Sequence, residues 1–320
     1  MEIREIDVSL ITDMIREMCI EANLRLSPDM KKALDDALKA ETGELGKKIL
    51  GQLEENLKIA DADEIPICQD TGMAVVFLKV GQDVHFTGGN LKDAVNEGVR
   101  RGYTDGYMRK SVVSDPLLRE NTDDNTPAII HTEIVAGDKV EITIAPKGFG
   151  SENMSRIFML KPADGIEGVK NAIITAVRDA GANACPPMVV GVGIGADFEK
   201  CALLAKKALT NELNSVKSYY GSESRDAIEK DRQITSSENN EFTATSAAKN
   251  GRKQPDTTYL KDLQTKLFEE LNRLDIGPGG MGGRNTVLGV NIETYPTHIA
   301  GLPVAVNICC HVNRHVTRIL

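Results

Sequence analysis

The chain of 320 residues is long enough for one large or two ordinary domains whose core needs no disulfide or zinc. Its 41% hydrophobic and 27% charged residues are typical of a soluble globular protein and exclude disordered, collagen-like and fibrous classes. A net charge of −9, the lack of tryptophan and an aromatic content of 4% argue against a nucleic-acid partner, which needs basic and stacking surfaces.

The beginning of the chain contains no apolar targeting segment. Charged side chains occupy the positions where a secretion signal has its apolar part: Glu2, Arg4, Glu5 and Asp7. The longest apolar stretches, residues 73–78 and 188–196, are far shorter than the roughly 20 residues of a membrane helix. We therefore expect a cytoplasmic protein that does not enter a membrane.

The first 60 residues predict three helices. Apolar residues at spacings of three and four form one helical face: Val8, Ile11, Ile15 and Cys19. This pattern makes Cys19 a core residue. Ser27 followed by Pro28 is typical of a helix start, and we expect a second helix over residues 30–40 and a third over 45–60.

The next part of the chain alternates strands and helices. A β-branched run predicts a strand over residues 73–80, followed by a helix over 91–108. Two further strands are predicted over 129–135 and 139–145. The dipeptide Gly137-Asp138 between them suggests a hairpin, and a hairpin makes an antiparallel pair.

The second half continues the same pattern of strands and helices. Helices are predicted over 165–180, 197–209 and 259–274, and strands over 188–195, 287–292 and 302–310. Helical spacing makes Cys201 a core residue. The predicted fold class is thus α/β, more fully mixed α+β, with helices around a partly antiparallel sheet in one domain over residues 1–320.

Residues 214–257 differ from the rest because polar and charged side chains dominate and no hydrophobic period holds. We expect a flexible surface insertion there.

The glycines at the end of the strand over 188–195 need an explanation. Gly191, Gly193 and Ala196 fit the G-x-G-x-x-A pattern of dinucleotide-binding proteins, and a nicotinamide-dependent dehydrogenase is therefore an alternative. The pattern also requires a second apolar strand after the helix, where this chain has the polar insertion. Close approach of the backbone to an anion or to a neighbouring strand explains the glycines better.

Six cysteines are spread over the chain without a C-x-x-C pair, and this spacing in a reduced compartment argues against disulfides. Cys68 and Cys185 stand beside glycine or proline in turn-like settings. Of Cys309 and Cys310 only one faces a given site, because successive residues of a strand point to opposite sides. Three converging thiolates suit an iron–sulfur cluster, and a four-iron cluster with three ligands leaves one iron open to act as a Lewis acid.

Several motifs occur together along nearly the whole chain outside the insertion. They are CQDTG at residues 68–72, YMRK at 107–110, PKGFGSEN at 146–153, ACPP at 184–187, GGMGG at 279–283, and Thr297-His298 leading to CHVNRH at 310–315. In this combination the chain resembles the α subunit of two-subunit class I fumarases, with the α subunit of L-tartrate dehydratase as a close relative.

The resemblance implies a hydro-lyase that hydrates fumarate reversibly to L-malate with a [4Fe–4S] cluster. The alternative substrate is L-tartrate, which would be dehydrated to oxaloacetate. The family pattern assigns the cluster ligands to Cys68, Cys185 and Cys310. Cys310 is preferred over Cys309 because the family's catalytic histidine lies shortly before its third cysteine, and His298 is twelve positions before Cys310.

The resemblance also implies the substrate contacts, which are Gln69, Asp70, Arg109, and the backbone at Gly150 with Ser151. His298 is expected to exchange protons, since its reference pKa is near 6.5, and Asp70 is the second catalytic candidate. A guanidinium such as that of Arg109 grips a carboxylate through two hydrogen bonds. His311 and Arg314 either orient the cluster or only bond to backbone, and the sequence leaves both roles open.

The resemblance implies a partner as well, because further basic substrate ligands come from a C-terminal domain that this chain does not contain. We expect a separate β subunit and an α₂β₂ assembly. A cluster-carrying sensor without catalysis is the alternative, and the intact Asp70, Arg109 and His298 argue against it.

Overall fold

The computed structural model describes residues 3–219 and 258–320. Its helices are α1 Val8–Leu24, α2 Pro28–Ala40, α3 Glu44–Asp63, α4 Leu91–Asp105, α5 Phe149–Glu152, α6 Gly165–Ala180, α7 Phe198–Ala208 and α8 Thr258–Asn272. Its strands are β1 Arg4–Asp7, β2 Met73–Gly81, β3 Val84–Thr87, β4 Ile129–Val135, β5 Val140–Lys147, β6 Arg156–Leu160, β7 Met188–Gly195, β8 Val216–Ser218, β9 Val287–Tyr295, β10 Leu302–Cys309 and β11 Val316–Ile319. Short 3₁₀ turns lie at Pro162–Asp164, Gly181–Ala184 and Pro278–Gly280.

A four-stranded sheet with the order β11-β5-β2-β4 forms the first layer. β2 is antiparallel to β5 and parallel to β4. One face of this sheet packs against α1 and α4, because apolar side chains at every second strand position meet the apolar stripes of the helices. Cys19 is fully buried in this core, which confirms its predicted role.

The predicted hairpin between β4 and β5 is wrong. β2 lies between the two strands, so the turn at Gly137 crosses the end of β2 instead of joining two paired strands. Backbone bonds hold this crossing: the N–H of Gly81 donates to Lys139 and that of Gln82 to Val135, each at 2.8 Å. A Cβ atom on Gly81 would lie 2.3 Å from the carbonyl oxygen of Gly137, and glycine permits this approach.

A five-stranded sheet with the order β6-β10-β7-β9-β8 forms the second layer. β7 and β9 are parallel, and β10 runs antiparallel to β7. The residues before β7, before β9 and after β10 therefore meet at one edge of the sheet, which we call the cysteine edge. The residues after β7, after β9 and before β10 meet at the opposite edge. α6 and α8 cover one face of this sheet.

The predicted fold class is confirmed, since helices surround mixed and partly antiparallel sheets. The predicted helix over 165–180 has the bounds of α6, and Cys201 is buried on α7 as expected. Residues 216–218, which belong to the predicted insertion, form β8 and pair with β9, so the predicted insertion begins too early. Residues 220–257, to which the rest of that prediction applies, lie outside the described residues.

None of the helices in the described ranges is both long and apolar enough to cross a membrane.

The glycines of β7 allow α7 to pack directly on the strand. A Cβ atom on Gly191 would lie 2.2 Å from the carbonyl oxygen of Ala205, and one on Gly193 would lie 2.2 Å from that of Cys201. The close neighbour is thus the following helix and neither a ligand nor another strand. This contact accounts for the two glycines without a dinucleotide.

We predict that Gly193→Ala lowers the free energy of unfolding by about 1–3 kcal/mol, because the backbone of α7 must move to admit the new methyl group. Gly51→Ala is the matched control, since its Cβ meets no described atom within 4 Å on α3. This control should raise the free energy of unfolding by about 0.5–1 kcal/mol, as expected for glycine to alanine in a helix. Urea unfolding of both variants measures the difference. Equal stability of Gly193→Ala and the wild type would contradict the packing explanation.

Candidate functional site

Cys185 lies at the cysteine edge, immediately after the 3₁₀ turn Gly181–Ala184. Its φ of 52° is left-handed, which turns the exposed side chain away from the strand that follows. The glycine-rich turn at Pro278–Gly280, which precedes β9, contacts the residues on either side of Cys185. Gly279 donates its N–H to the carbonyl of Pro186 at 2.8 Å, and a Cβ on Gly280 would lie 2.3 Å from that of Ala182.

Cys68 lies in the loop between α3 and β2. Two asparagines fix the preceding residue, Ile67: its N–H donates to the carbonyl of Asn23 at 3.0 Å, and its carbonyl accepts from the side chain of Asn56 at 2.8 Å. The Sγ of Cys68 accepts from the N–H of Asp70 at 3.4 Å. The thiol is therefore held at a partly exposed position by a rigid loop.

Cys310 is the first residue after β10, and it connects the other two cysteine segments. The next residue, His311, bonds through Nδ1 to the carbonyl oxygen of Cys185 at 3.0 Å. Cys310 and Cys68 both pack at the border of the same apolar cluster, under α2 and α3. Burial raises the pKa of Cys185, and the charge of Cys68 raises it further. The segments that carry the three predicted cysteines thus lie together.

Exposure separates the three converging cysteines from the others. Cys185 is exposed and Cys68 and Cys310 are partly exposed, whereas Cys19, Cys201 and Cys309 are buried. Burial raises the pKa of both Cys19 and Cys201 to about 12, which keeps these thiols protonated.

The donor set at the cysteine edge fits an iron–sulfur cluster, which thiolates from separate segments can hold. Cys68, Cys185 and Cys310 lie on three anchored loops, and each thiol is exposed or partly exposed. In the described part of the chain, no three His, Cys, Asp or Glu side chains stand close enough together to hold one metal ion.

The adjacent cysteines Cys309 and Cys310 differ in their surroundings. The Cys309 thiol is buried, and its pKa is lowered by a hydrogen bond from Cys310 and by the charges of Lys147 and Arg314. The pKa of Cys310 is raised because it donates that bond. Only Cys310 reaches the surface, in agreement with its choice as the third ligand.

Asp70 links two loops of the site. Its Oδ1 accepts from the N–H of Gly72 at 3.0 Å, and its Oδ2 accepts from the N–H of Phe149 at 2.9 Å. The buried guanidinium of Arg314 donates to the carbonyls of Asp70 and Pro146. Asp70 and Arg314 therefore fix the loop of Cys68 to the loop that carries Gly150.

The structure shows the second of the two roles considered for His311 and Arg314, bonding to backbone, and orientation of a cluster stays a prediction. His311 and Arg314 bond to backbone carbonyls, and through those bonds they hold the segments of Cys185 and Asp70 in place. The Nη1 of Arg314 is buried and has no hydrogen-bond partner among the described residues. A buried positive charge at this position favours thiolates and other anions at the cysteine edge.

Gly150 and Ser151 lie within the short helix α5, and they present different groups. Gly150 is exposed and keeps its backbone accessible. The hydroxyl of Ser151 is buried and bonds to the Nζ of Lys147 at 3.1 Å. The sequence analysis missed Lys147, which also pairs with Glu152 at 3.1 Å, although it lies within the PKGFGSEN motif.

Arg109 and Gln69 are both exposed near Asp70. The carbonyl of Arg109 accepts from the hydroxyl of Thr71 at 3.2 Å. The fully buried Asn125, also missed from the sequence, accepts from the N–H of Ser111 at 2.7 Å and donates to the carbonyl of Gly72 at 3.1 Å. The guanidinium of Arg109 thus extends from a segment that is tied to the loop of Cys68.

The structure does not bring His298 to the cysteines. His298 lies in the loop between β9 and β10, at the opposite edge of the five-stranded sheet, where Thr297 donates to the carbonyl of Ala196 at 2.8 Å. Its Nδ1 accepts from the N–H of Ala300 at 3.1 Å. The eight residues of β10 separate it from Cys310, a rise of roughly 26 Å. Its catalytic role stays a prediction, and within one chain it has no access to the cysteine edge.

Known proteins resemble this chain over nearly its whole length. The family model for fumarate hydratase (Fumerase) matches residues 12–319. A protein named "Putative L(+)-tartrate dehydratase subunit alpha" from Methanocaldococcus jannaschii is 36% identical over 314 residues, which are 96% of each chain. The L(+)-tartrate dehydratase subunit alpha of Escherichia coli strain K12 is 28% identical over 313 residues, 97% of this chain and 90% of that protein.

Both the family model and these relatives span nearly the full chain. The chain therefore belongs to the fumarate hydratase (Fumerase) family.

Proposed function

We propose that this chain is the α subunit of an iron–sulfur hydro-lyase that hydrates fumarate reversibly to L-malate. The observation that carries the proposal is the convergence of three accessible thiols beside the anchored loops of Asp70 and Arg109. Membership in the family supports the hydro-lyase class. Dehydration of L-tartrate is the second candidate, because both similar proteins are named as tartrate dehydratase subunits.

Cys68, Cys185 and Cys310 would hold the [4Fe–4S] cluster. When bound, it supplies a Lewis acid that lowers the cost of the negative charge on a departing hydroxyl oxygen.

The residues of the chain itself would bind and orient the dicarboxylate. The exposed guanidinium of Arg109 would grip one carboxylate, and the exposed backbone of Gly150 would contact the other end. Asp70 has both carboxylate oxygens bonded to backbone, and each oxygen keeps a second lone pair for a substrate hydroxyl. The buried charges of Lys147 and Arg314 would stabilise the dianion from behind these loops.

Proton exchange by His298 requires a second chain. Because His298 lies at the opposite edge of the sheet, it would act on a site whose cysteines belong to another copy. We therefore extend the proposed α₂β₂ assembly, in which a separate β subunit supplies further basic ligands, to one in which two α chains face each other. The printed names of the relatives, which call them alpha subunits, support a separate partner chain.

The cluster assignment predicts the effect of each cysteine. Serine at position 68, 185 or 310 should abolish stable cluster binding after anaerobic reconstitution, because it removes one of three ligands. Cys19→Ser, Cys201→Ser and Cys309→Ser serve as controls that change only packing. Iron and sulfide content measures the outcome. Loss of the cluster in Cys309→Ser together with its retention in Cys310→Ser would reverse the assignment of that pair.

His298→Asn should retain the cluster, because the residue lies at the other edge of the sheet, and should lower kcat by about 10² to 10⁴. A mixture of His298→Asn and Cys68→Ser chains, assembled together, tests action across two copies. His298→Asn alone should turn over slowly and Cys68→Ser alone not at all. The mixed assembly should regain part of the activity, at sites whose cysteines come from the His298→Asn chain and whose histidine comes from the Cys68→Ser chain. Wild-type kcat in His298→Asn would remove the residue from the mechanism.

The chain alone should be inactive or nearly so, and addition of the β subunit should restore turnover. The experiment is an anaerobic assay of the cluster-loaded chain with and without the β subunit, on fumarate and on L-tartrate. A higher kcat/KM on fumarate is expected from the proposal. A higher value on L-tartrate would establish the second candidate, and full activity without any partner would contradict the need for a β subunit.

A further inference from the structure

A cleft that the proposed reaction does not use lies between the two layers. It encloses about 380 Å³ between the polar face of the four-stranded sheet on one side and α7 with β8 on the other. This volume is within the range of small-molecule sites, about 300–1,000 Å³. No cysteine of the predicted cluster lines it.

Positive charge is concentrated in this cleft. Four lysines line it, Lys79, Lys200, Lys207 and Lys217, against two glutamates, Glu133 and Glu141. The whole chain has a net charge of −9, so the cleft is an exception on an acidic protein. A groove with low-dielectric walls focuses the field of such charges and attracts anions.

The ion pairs of the cleft leave part of this charge uncompensated. Lys79 pairs with Glu141 at 2.9 Å and Lys207 with Glu133 at 3.3 Å. Within residues 3–219 and 258–320, no carboxylate pairs with Lys217, whose ammonium donates instead to the neutral amide oxygen of Asn211.

The position of Lys217 is fixed by its neighbours. Asn211 is buried, and its Nδ2 donates to Glu293 at 2.7 Å, which aims its oxygen at Lys217. The pKa of Lys217 is lowered because the cleft walls remove water from its ammonium, and the charges of Lys79 and Lys207 lower it further against the opposing effect of Glu293. Three ammonium groups thus lie near one another.

The remaining walls of the cleft offer hydroxyl groups and apolar surface. Thr143 and Thr317 share a hydrogen bond of 2.8 Å on the sheet face, and the ring of Phe77 stacks on that of His131 with centroids 5.3 Å apart. Leu203 faces them from α7. The cleft therefore combines anion-binding groups with apolar walls that shape a small organic molecule.

We propose that this cleft binds a small polyanion with two or more carboxylate or phosphate groups, held by Lys79, Lys207 and Lys217. The ligand is distinct from the substrate at the cysteine edge, because its binding groups come from the sheet face, α7 and β8. Lysine ammonium groups bind both kinds of acidic group as point charges, and the experiment distinguishes the two.

Isothermal titration calorimetry of the full chain at low ionic strength, with citrate and with inorganic pyrophosphate as separate probes, tests the proposal. At least one of them should bind with 1:1 stoichiometry. Lys217→Met should weaken binding by about tenfold or more, since it removes one charged hydrogen-bond donor. Lys266→Met, an exposed lysine on α8, is the matched control and should leave the affinity unchanged.

Two further variants test whether a change in affinity arises in this cleft, and not from a general loss of folding or from the cysteine edge. Glu133→Gln should strengthen binding a fewfold, because it releases the ammonium of Lys207 for the ligand. Arg109→Met should have no effect. Any of three results would overturn the proposal. The first is that neither probe binds with 1:1 stoichiometry, and the second is that Lys217→Met and Lys266→Met have equal affinities. The third is that Arg109→Met loses binding. The titration involves no turnover, so its failure leaves the proposed hydro-lyase function untouched.

Discussion

The relative direction of three neighbouring strands determines which loops meet at the candidate site. β7 and β9 run parallel and β10 runs between β6 and β7 in the opposite direction, so two strand starts and one strand end meet at the same edge. That geometry brings Cys185, the glycine turn at Pro278–Gly280 and Cys310 together although they are far apart in the chain. A reversal of β10 would place Cys310 at the other edge and separate the thiols.

Buried polar groups then hold the loops that the strands bring together. Asp70 accepts two backbone N–H bonds, Arg314 donates to two carbonyls, and Asn125 bridges two segments. Each bond satisfies a backbone group that would otherwise be costly to bury, so the loops are rigid without regular secondary structure. Lys147 and Arg314 place positive charge behind them, which suits the proposed thiolate ligands and dianionic substrate.

The sequence predicted the helices and most long strands because hydrophobic periodicity is a local property, as in α6. From turn-like settings and motifs it proposed Cys68, Cys185 and Cys310 as a ligand set, and the segments of these residues lie together in the structure. The predictions were wrong where strand pairing depends on residues far away in the chain. The β4–β5 hairpin does not form because β2 lies between these strands, and β8 forms because it pairs with β9. His298 is only twelve residues before Cys310 in the sequence, but strand β10 between them places the two residues at opposite edges of the sheet.

The most direct test of this account is the reactivity of each thiol, measured by maleimide labelling and mass spectrometry before and after anaerobic cluster reconstitution. In the cluster-free protein Cys68, Cys185 and Cys310 should react, because they are the cysteines that reach the surface among the six. All three should become protected once the cluster is loaded, while the buried thiols stay unreactive throughout. Unchanged labelling of Cys310 after loading, or protection of only one or two of the three, would contradict the convergence on which the account depends.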